Sequence, residues 1–302
     1  CIGCNQGCYD YFCNSLYDPS IKHITCMRNP GLLEEATDSL SMTSHPKKVV
    51  ILGGGIAGME AALDLKETGN TPIIIEKSTS LGGQFALAGV ISAKKDFKNA
   101  VDKMIKDVEE SKIEVYLNTK ATLELISSMK PDALIVATGS DPFVLPIHGA
   151  DKCTIAHDVL SEKVNIKGEN VVIIGGGLVG FETAEFLASQ GKKITILEMK
   201  EKALQDLGPL RQITAQFAMN KMPITIETNA TVEKIEDNVV IASGKEYFYD
   251  DVIMAVGSKS NDTSIYENLD IPTYVIGDCK KAGVALDAFK DAYYAVLDIN
   301  KK

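Results

Sequence analysis

The sequence predicts an α/β chain made of two copies of one strand-turn-helix-strand unit, one nested within the fold of the other, behind a cysteine-rich opening segment. Three observations predict it. Val49 to Glu76 reads VVILGGGIAGMEAALDLKETGNTPIIIE, and Val171 to Glu198 repeats the pattern without a gap as VVIIGGGLVGFETAEFLASQGKKITILE. The strand Ala133–Ala137 ends in Thr138-Gly139-Ser140, and Val252–Val256 ends in Gly257-Ser258 at nearly the same offset from its own copy. Five of the seven cysteines lie in residues 1–45, at Cys1, Cys4, Cys8, Cys13 and Cys26.

The chemistry of each copy starts at its G-x-G-x-x-G turn. In the first, Gly53 lets the chain leave the strand tightly. Gly55 lacks a Cβ, so a pyrophosphate can approach the backbone, and Gly58 lets the helix lie close on the sheet. The helix opens at Ile56 and Ala57, where free N–H groups and the positive end of the dipole favour phosphate. Glu76 ends the second strand, where a carboxylate can accept bonds from an adenosine ribose. The second copy assigns these roles to Gly175, Gly177, Leu178, Val179, Gly180 and Glu198. A lone glycine-rich turn is weak evidence and an empty scaffold is its plain alternative, but strand, turn, helix and acid here occur in order, twice. Both copies therefore read as Rossmann-like dinucleotide-binding units.

The composition bounds the rest. At 302 residues the chain has room for roughly two domains, and 45% hydrophobic with 24% charged residues is ordinary for a globular protein with sizeable cores. A formal charge of −10 argues against nucleic-acid or anionic-membrane binding, which call for a basic surface. No run is apolar and long enough for a membrane-spanning helix, and no secretory signal is evident. A reducing cytoplasm is the expected setting, and the sequence leaves homo-oligomerisation open. A chain that begins with Cys1 inside a ligand motif is expected to be part of a longer polypeptide.

In order along the chain, residues 1–45 look too poor in apolar residues to fold unaided. Cys1-x2-Cys4-x3-Cys8 is dense thiolate spacing, which in a reducing compartment points to metal rather than disulfides. Spacing alone leaves zinc or an iron-sulfur cluster open, with Cys13 or Cys26 as fourth ligand. Past the first copy, Leu81-Gly82-Gly83-Gln84 is a turn whose backbone could approach the nucleotide. Lys94 to Glu110 reads as an amphipathic helix, Glu114 to Asn118 as a short strand and Leu210 to Lys221 as a helix. The runs Ile224–Glu227, Thr231–Glu236, Val239–Ser243 and Glu246–Tyr249 suggest an antiparallel meander. The chain closes with Tyr274-Val-Ile-Gly277-Asp278 and a helix from about Gly283 to Asn300. Cys153 and Cys279 read as small packed residues, and His23, His45, His148 and His157 have no catalytic spacing.

Nested nucleotide units, Ala137-Thr138-Gly139 and a late Gly277-Asp278 before the final helix together resemble the two-dinucleotide-binding-domain flavoproteins, which are glutathione-reductase-like in fold. The resemblance implies FAD in the first unit, on Gly53, Gly55, Ile56, Ala57, Gly58, Glu76, Lys77, Gly83, Gln84, Ala137, Thr138, Gly139, Gly277 and Asp278. It implies NAD(H) in the second, on Gly175, Gly177, Leu178, Val179, Gly180, Glu198 and Gly257. Asp278 would hold the flavin ribityl chain, and the last helix would direct its N-terminus at the flavin pyrimidine edge. Domains are then expected at 1–45 (linker), at 46–147 with 262–302 (FAD) and at 148–261 (inserted NAD(H) domain).

The opening segment narrows the family. Cys1-Ile-Gly-Cys4-Asn-Gln-Gly-Cys8 with Cys26-Met-Arg-Asn29-Pro30 resembles the iron-sulfur linker of the 2,4-dienoyl-CoA reductase, 2-enoate reductase and trimethylamine dehydrogenase family. Glu76-Lys77 and Leu81-Gly82-Gly83-Gln84-Phe85 resemble it too. The likeness implies a [4Fe-4S] cluster on Cys1, Cys4, Cys8 and Cys26, with Cys13 in an insertion, since the gap between Cys8 and Cys26 is longer than in the family pattern. It also implies a barrel carrying FMN and the substrate site, which this chain lacks; the catalytic residues would then lie upstream of Cys1. The expected path takes hydride from NADH to FAD and single electrons through the cluster to FMN, which reduces an activated C=C bond of enoate or enoyl-CoA type. NADH is expected over NADPH because Glu198 would repel a 2′-phosphate, although Lys200 argues the other way. Two other readings stand: an ADP-binding scaffold without nicotinamide chemistry, as the resemblance to trimethylamine dehydrogenase implies, and a zinc-stapled interaction module. No paired cysteines flank the first copy, which disfavours a disulfide reductase.

Overall fold

A computed structural model describes residues 1–36, 38–91, 94–205 and 207–301. The chain divides into two compact units. The first comprises Cys1–Gly89, Lys95–Asp141 and Ser260–Lys302, and the second Val90–Lys94 and Pro142–Lys259. The cysteine segment belongs to the first unit by its packing.

The first unit is built on a five-stranded parallel sheet in the spatial order Thr273–Val275, Ala133–Val136, Lys48–Leu52, Thr71–Ile75, Glu114–Tyr116. Its strands read as unbroken apolar runs because both faces are covered. Val49 and Ile51 point into a core closed by the helices Ile56–Glu67, Lys95–Glu110 and Ala285–Lys301. Val50 and Leu52 point the other way, against Ile126 of the helix Leu123–Met129, Tyr266 and Cys279. The register pairs Leu52 with both Ile75 and Val136, so the ends of three strands stand level where the first glycine turn leaves the sheet.

The cysteine segment is more ordered than its composition suggests. It contains a short helix, Tyr9–Ser15. Met27 is fully buried in the first core, and Ile2, Cys4 and Tyr11 pack against that core. Apolar anchors scattered singly along the sequence make no periodic signal, so this packing was not legible locally.

The second unit repeats the design with the parallel order Thr154–Ile155, Asp251–Met254, Asn170–Ile174, Lys193–Leu197, Ile224–Glu227. The helices Ala156–Leu160 and Leu178–Ser189 cover one face. A three-stranded antiparallel meander, Val232–Glu236, Val239–Ala242 and Lys245–Phe248, covers the other. Ser243 and Gly244 both have positive φ, the backbone a two-residue hairpin turn demands. One expectation is corrected: Ile224–Glu227 is the parallel edge strand beside Lys193–Leu197 and no part of the meander. A four-residue alternating run fixes a pleat without fixing its partner. No helix among the described residues is long and apolar enough to cross a membrane.

Candidate functional site

The first site forms where strand, turn and helix meet. Gly53 has φ +107°, and a Cβ there would stand 2.3 Å from the Ala137 carbonyl oxygen. A Cβ on Gly58 would stand 1.9 Å from the Gly53 carbonyl oxygen, so the turn closes on itself only without one. Gly55 is different: its φ is an ordinary −72° and nothing lies within 4 Å of an added Cβ. No side chain caps the helix that opens with the buried Ile56 and Ala57. Its first N–H groups lack intrahelical partners by geometry.

Glu76 is buried and holds the turn. Its Oε2 accepts the Gly54 N–H at 2.6 Å, and its Oε1 accepts the Ser78 N–H at 2.7 Å. Each oxygen keeps lone-pair capacity for a ribose hydroxyl. The loop that follows lies back over the turn, with Gly82 N–H donating to Gly54 O at 2.9 Å. A Cβ on Gly83, which has φ +56°, would reach 3.0 Å from the Gly55 Cα. Lys77 is exposed at the strand end. Gln84 donates to the Ser140 carbonyl at 2.5 Å, which ties this loop to the end of the Ala133–Val136 crossing.

The remaining predicted residues gather at that crossing. The Ser140 hydroxyl donates to Asp278 Oδ2 at 3.1 Å, and Asp278 Oδ1 accepts the Gly283 N–H at 3.2 Å. Gly277, at φ +65°, donates its N–H to Asp291 Oδ2 at 3.0 Å. Asn261 bonds both the Thr138 and Gly139 carbonyls. Gly139, at φ +76°, has open space where a Cβ would stand, and the Thr138 hydroxyl oxygen is buried without a hydrogen-bond partner. A buried hydroxyl without a partner is costly, and a bound ligand is one way to satisfy it.

The second unit repeats the geometry. Gly175 has φ +109° with its Cβ position 2.3 Å from Ala255 O, and a Cβ on Gly180 would stand 2.0 Å from Gly175 O. The buried Glu198 accepts the Gly176 N–H through Oε2 and the Lys200 N–H through Oε1, each at 2.8 Å. Gly177 stands at the head of its helix, uncapped by any side chain, with Leu178 and Val179 in the first turn. Gly257, at φ +100°, has open space in place of a Cβ. Leu204 donates to Gly176 O at 2.9 Å, the bond Gly82 makes in the first unit, and takes a positive φ of 58° to do so. The sequence reading missed Gly54, Gly176 and Ser140. The middle glycine of each G-G-G run and the serine after Thr138-Gly139 were the available signals.

Gly3 and Asn5 take positive φ in the turn between Cys1 and Cys8. Thr25 N–H donates to Gly7 O at 2.8 Å, which brings the backbone before Cys26 beside the backbone before Cys8. Cys13 lies in the Tyr9–Ser15 helix. Among the described residues no three His, Cys, Asp or Glu side chains converge as ligands of a single ion. The donor set, four cysteines outside any disulfide, keeps the chemistry an iron-sulfur cluster uses.

Two residues past Cys26, Arg28 lies 3.7 Å from Glu60 and 5.2 Å over the Phe289 ring. Burial pushes Glu60 up to about 7 against the pull of Arg28. Burial, then repulsion from Glu60 and Glu67, pushes Asp64 up to about 8, and its Oδ2 is buried with no hydrogen-bond partner. Burial likewise pushes the Cys153 thiol up to about 12, which suits a packed and unreactive residue. Cys279 is 5% exposed and donates to the Val136 and Ile276 carbonyls.

Residues 47–286 match the family described as Pyridine nucleotide-disulphide oxidoreductase. The chain is 35% identical to a cinnamate reductase of Clostridium sporogenes, over 99% of this chain and 45% of that protein. It is 34% identical to an NADH oxidase of Thermoanaerobacter brockii, over 99% of this chain and 47% of that protein. The solved complex of a 2-naphthoyl-CoA reductase with 2-naphthoyl-CoA superposes with a TM-score of 0.88 at 30% identity, covering 97% of this chain and 45% of that one. The chain thus spans about half the length of the curated relatives it matches.

Proposed function

The chain belongs to the pyridine nucleotide-disulphide oxidoreductase family, and from that premise we propose that it is the NADH-oxidising, electron-transferring part of an iron-sulfur flavoenzyme. The observation that carries the reading is the repeated clasp: each unit has a buried glutamate holding the middle glycine of its turn. Two dinucleotide sites in one chain suit a donor nucleotide and an acceptor nucleotide better than two ligands without a reaction.

FAD, when bound, accepts two electrons together and releases them singly. The residues present fit it, since Gly55 and Gly139 border open space and the Thr138 hydroxyl lacks a partner. The helix N–H groups at Ile56 and Ala57 would bind its pyrophosphate, Glu76 its adenosine ribose and Asp278 its ribityl chain. In the second unit Glu198 would accept from the ribose of NADH, and the N–H groups of Leu178 and Val179 would take its phosphates. Cys1, Cys4, Cys8 and Cys26 would hold a [4Fe-4S] cluster, which when bound supplies single-electron transfer. The acceptor would be an FMN-bearing barrel outside this chain, reducing a C=C bond conjugated to a carboxylate or thioester. The names of the cinnamate and 2-naphthoyl-CoA reductases support that substrate class.

Anaerobic purification tests the proposal. Released FAD, and flavin absorbance that bleaches on adding NADH, support it. Bound ADP without flavin favours the scaffold reading and sinks the proposal.

A further inference from the structure

We infer that Gln6 is a positioning residue that locks the cysteine loop to the amino end of the closing helix, fixing the cysteine group relative to the flavin site. The inference rests on the reading of this unit as a flavin and iron-sulfur carrier.

Gln6 lies between Cys4 and Cys8, yet it is only 8% exposed. Its Oε1 accepts the N–H of Leu286 at 3.0 Å, and Leu286 is itself buried. Leu286 is the second residue of the helix Ala285–Lys301, so its N–H is one of those the helix cannot satisfy internally. Serving it normally falls to a residue just ahead of the helix. Here that role passes to a side chain from the far end of the chain.

The turn ahead of this helix carries the other half of the relationship. Asp278 accepts from Gly283 at 3.2 Å and from Ser140 at 3.1 Å. Gln6 therefore grips the helix start from the cysteine side, while Asp278 grips the preceding turn from the nucleotide side. The loop is shaped to deliver Gln6. Asn5 has φ +57°, its carbonyl accepts Asp10 N–H at 3.0 Å, and Gly7 pairs with Thr25. A glutamine suits the task because its amide oxygen reaches farther than a Ser or Asp cap.

The test compares Gln6→Met, which keeps the length and loses the acceptor, with Gln6→Glu, whose carboxylate restores the acceptor at a helix end that favours it. The protein is reconstituted with FAD, iron and sulfide. In Gln6→Met, Leu286 amide exchange should rise about tenfold or more. Iron reduction after NADH addition should slow by about tenfold, with flavin bleaching by NADH within about twofold of wild type. Gln6→Glu should restore most of both. Unchanged Leu286 exchange in Gln6→Met overturns the inference, and so does faster exchange with unchanged iron reduction. If wild-type flavin fails to bleach with NADH, the functional reading falls. Pre-reduced FAD, freed of excess reductant and added to the flavin-free protein, then replaces NADH as electron source, and the same two outcomes decide Gln6.

Discussion

Glu76 accepts the backbone N–H of Gly54 at 2.6 Å, so the acid at the end of the second strand holds the glycine turn at the end of the first. Its other oxygen takes the Ser78 N–H at 2.7 Å. The carboxylate is thus part of the fold before any nucleotide arrives. Glu76→Gln puts an amide NH2 against one of those two donors. It should cost about 2 kcal/mol of stability, the usual penalty for an unmet buried donor. FAD retention should fall with it. Thermal unfolding of the FAD-free protein checks the first part, and an unchanged midpoint would refute it.

Glu198 makes the same pair of bonds to Gly176 and Lys200, which pins its carboxylate at the end of the Lys193–Leu197 strand. A fixed negative charge there disfavours a 2′-phosphate. NADH should bleach the flavin faster than NADPH, and Glu198→Gln should shrink that ratio by about tenfold, the equivalent of about 1.4 kcal/mol. Stopped-flow traces with both nicotinamides decide the point. A faster NADPH reaction in the wild type would overturn the assignment.

Asp64 is raised from 3.8 to about 8, chiefly by burial, then by Glu60 and Glu67, with Arg28 opposing. Tyr293 of the closing helix also interacts with it electrostatically. For an acid raised on folding, the stabilising contribution is full below the unfolded value and is lost as pH rises through the folded one. The window therefore runs from about 4 to about 8, overlapping that of Glu60, which moves from 4.5 to about 7. Asp64→Asn removes the ionisation but keeps the shape. It should stabilise the protein by about 2 kcal/mol near pH 8.5 and by almost nothing near pH 4. Equal effects at both pH values would show that Asp64 titrates normally.

The Thr138 hydroxyl, buried without a partner one residue before Gly139, sets up opposite effects in the free and bound protein. Thr138→Val should leave the FAD-free protein as stable or stabilise it by about 1 kcal/mol, since no hydrogen bond is lost. It should weaken FAD binding about fivefold, because the bound flavin loses a donor. Flavin fluorescence titration reads the second effect. Loss of stability without flavin would mean that the hydroxyl already has a partner.

The parts of this fold that were legible in the sequence are those whose cause is local. The glycine turns, the apolar strands and the terminal acids announce themselves within Val49–Glu76 and again within Val171–Glu198. What escaped depends on distant partners. Ile224–Glu227 alternates like a meander strand, and only its neighbour Lys193–Leu197 makes it a parallel edge. Gln6 carries no signal for its bond to Leu286. The burial of Met27 in the first core was equally invisible in a segment without periodicity. Leu204 takes a positive φ where the first unit has Gly82, so the repeat is kept in backbone geometry after the sequence identity has gone.

Two glycines of one turn separate folding from binding. A Cβ at Gly58 would stand 1.9 Å from the Gly53 carbonyl oxygen, a backbone atom held by the sheet, so the turn must open to admit it. Gly58→Ala should cost at least about 3 kcal/mol, the scale of severe overpacking, and FAD should be lost with the fold of the first unit. Gly55 has φ −72°, which any residue adopts, and empty space where its Cβ would stand. Gly55→Ala should unfold within about 0.5 kcal/mol of wild type, as a substitution away from any packed feature does. The added methyl nevertheless occupies the approach to the helix N–H groups, so FAD should be lost from this well-folded variant. Unfolding midpoints and bound-flavin content of the two proteins make the comparison. A Gly55→Ala protein that purifies with a full complement of FAD would move the pyrophosphate away from this turn.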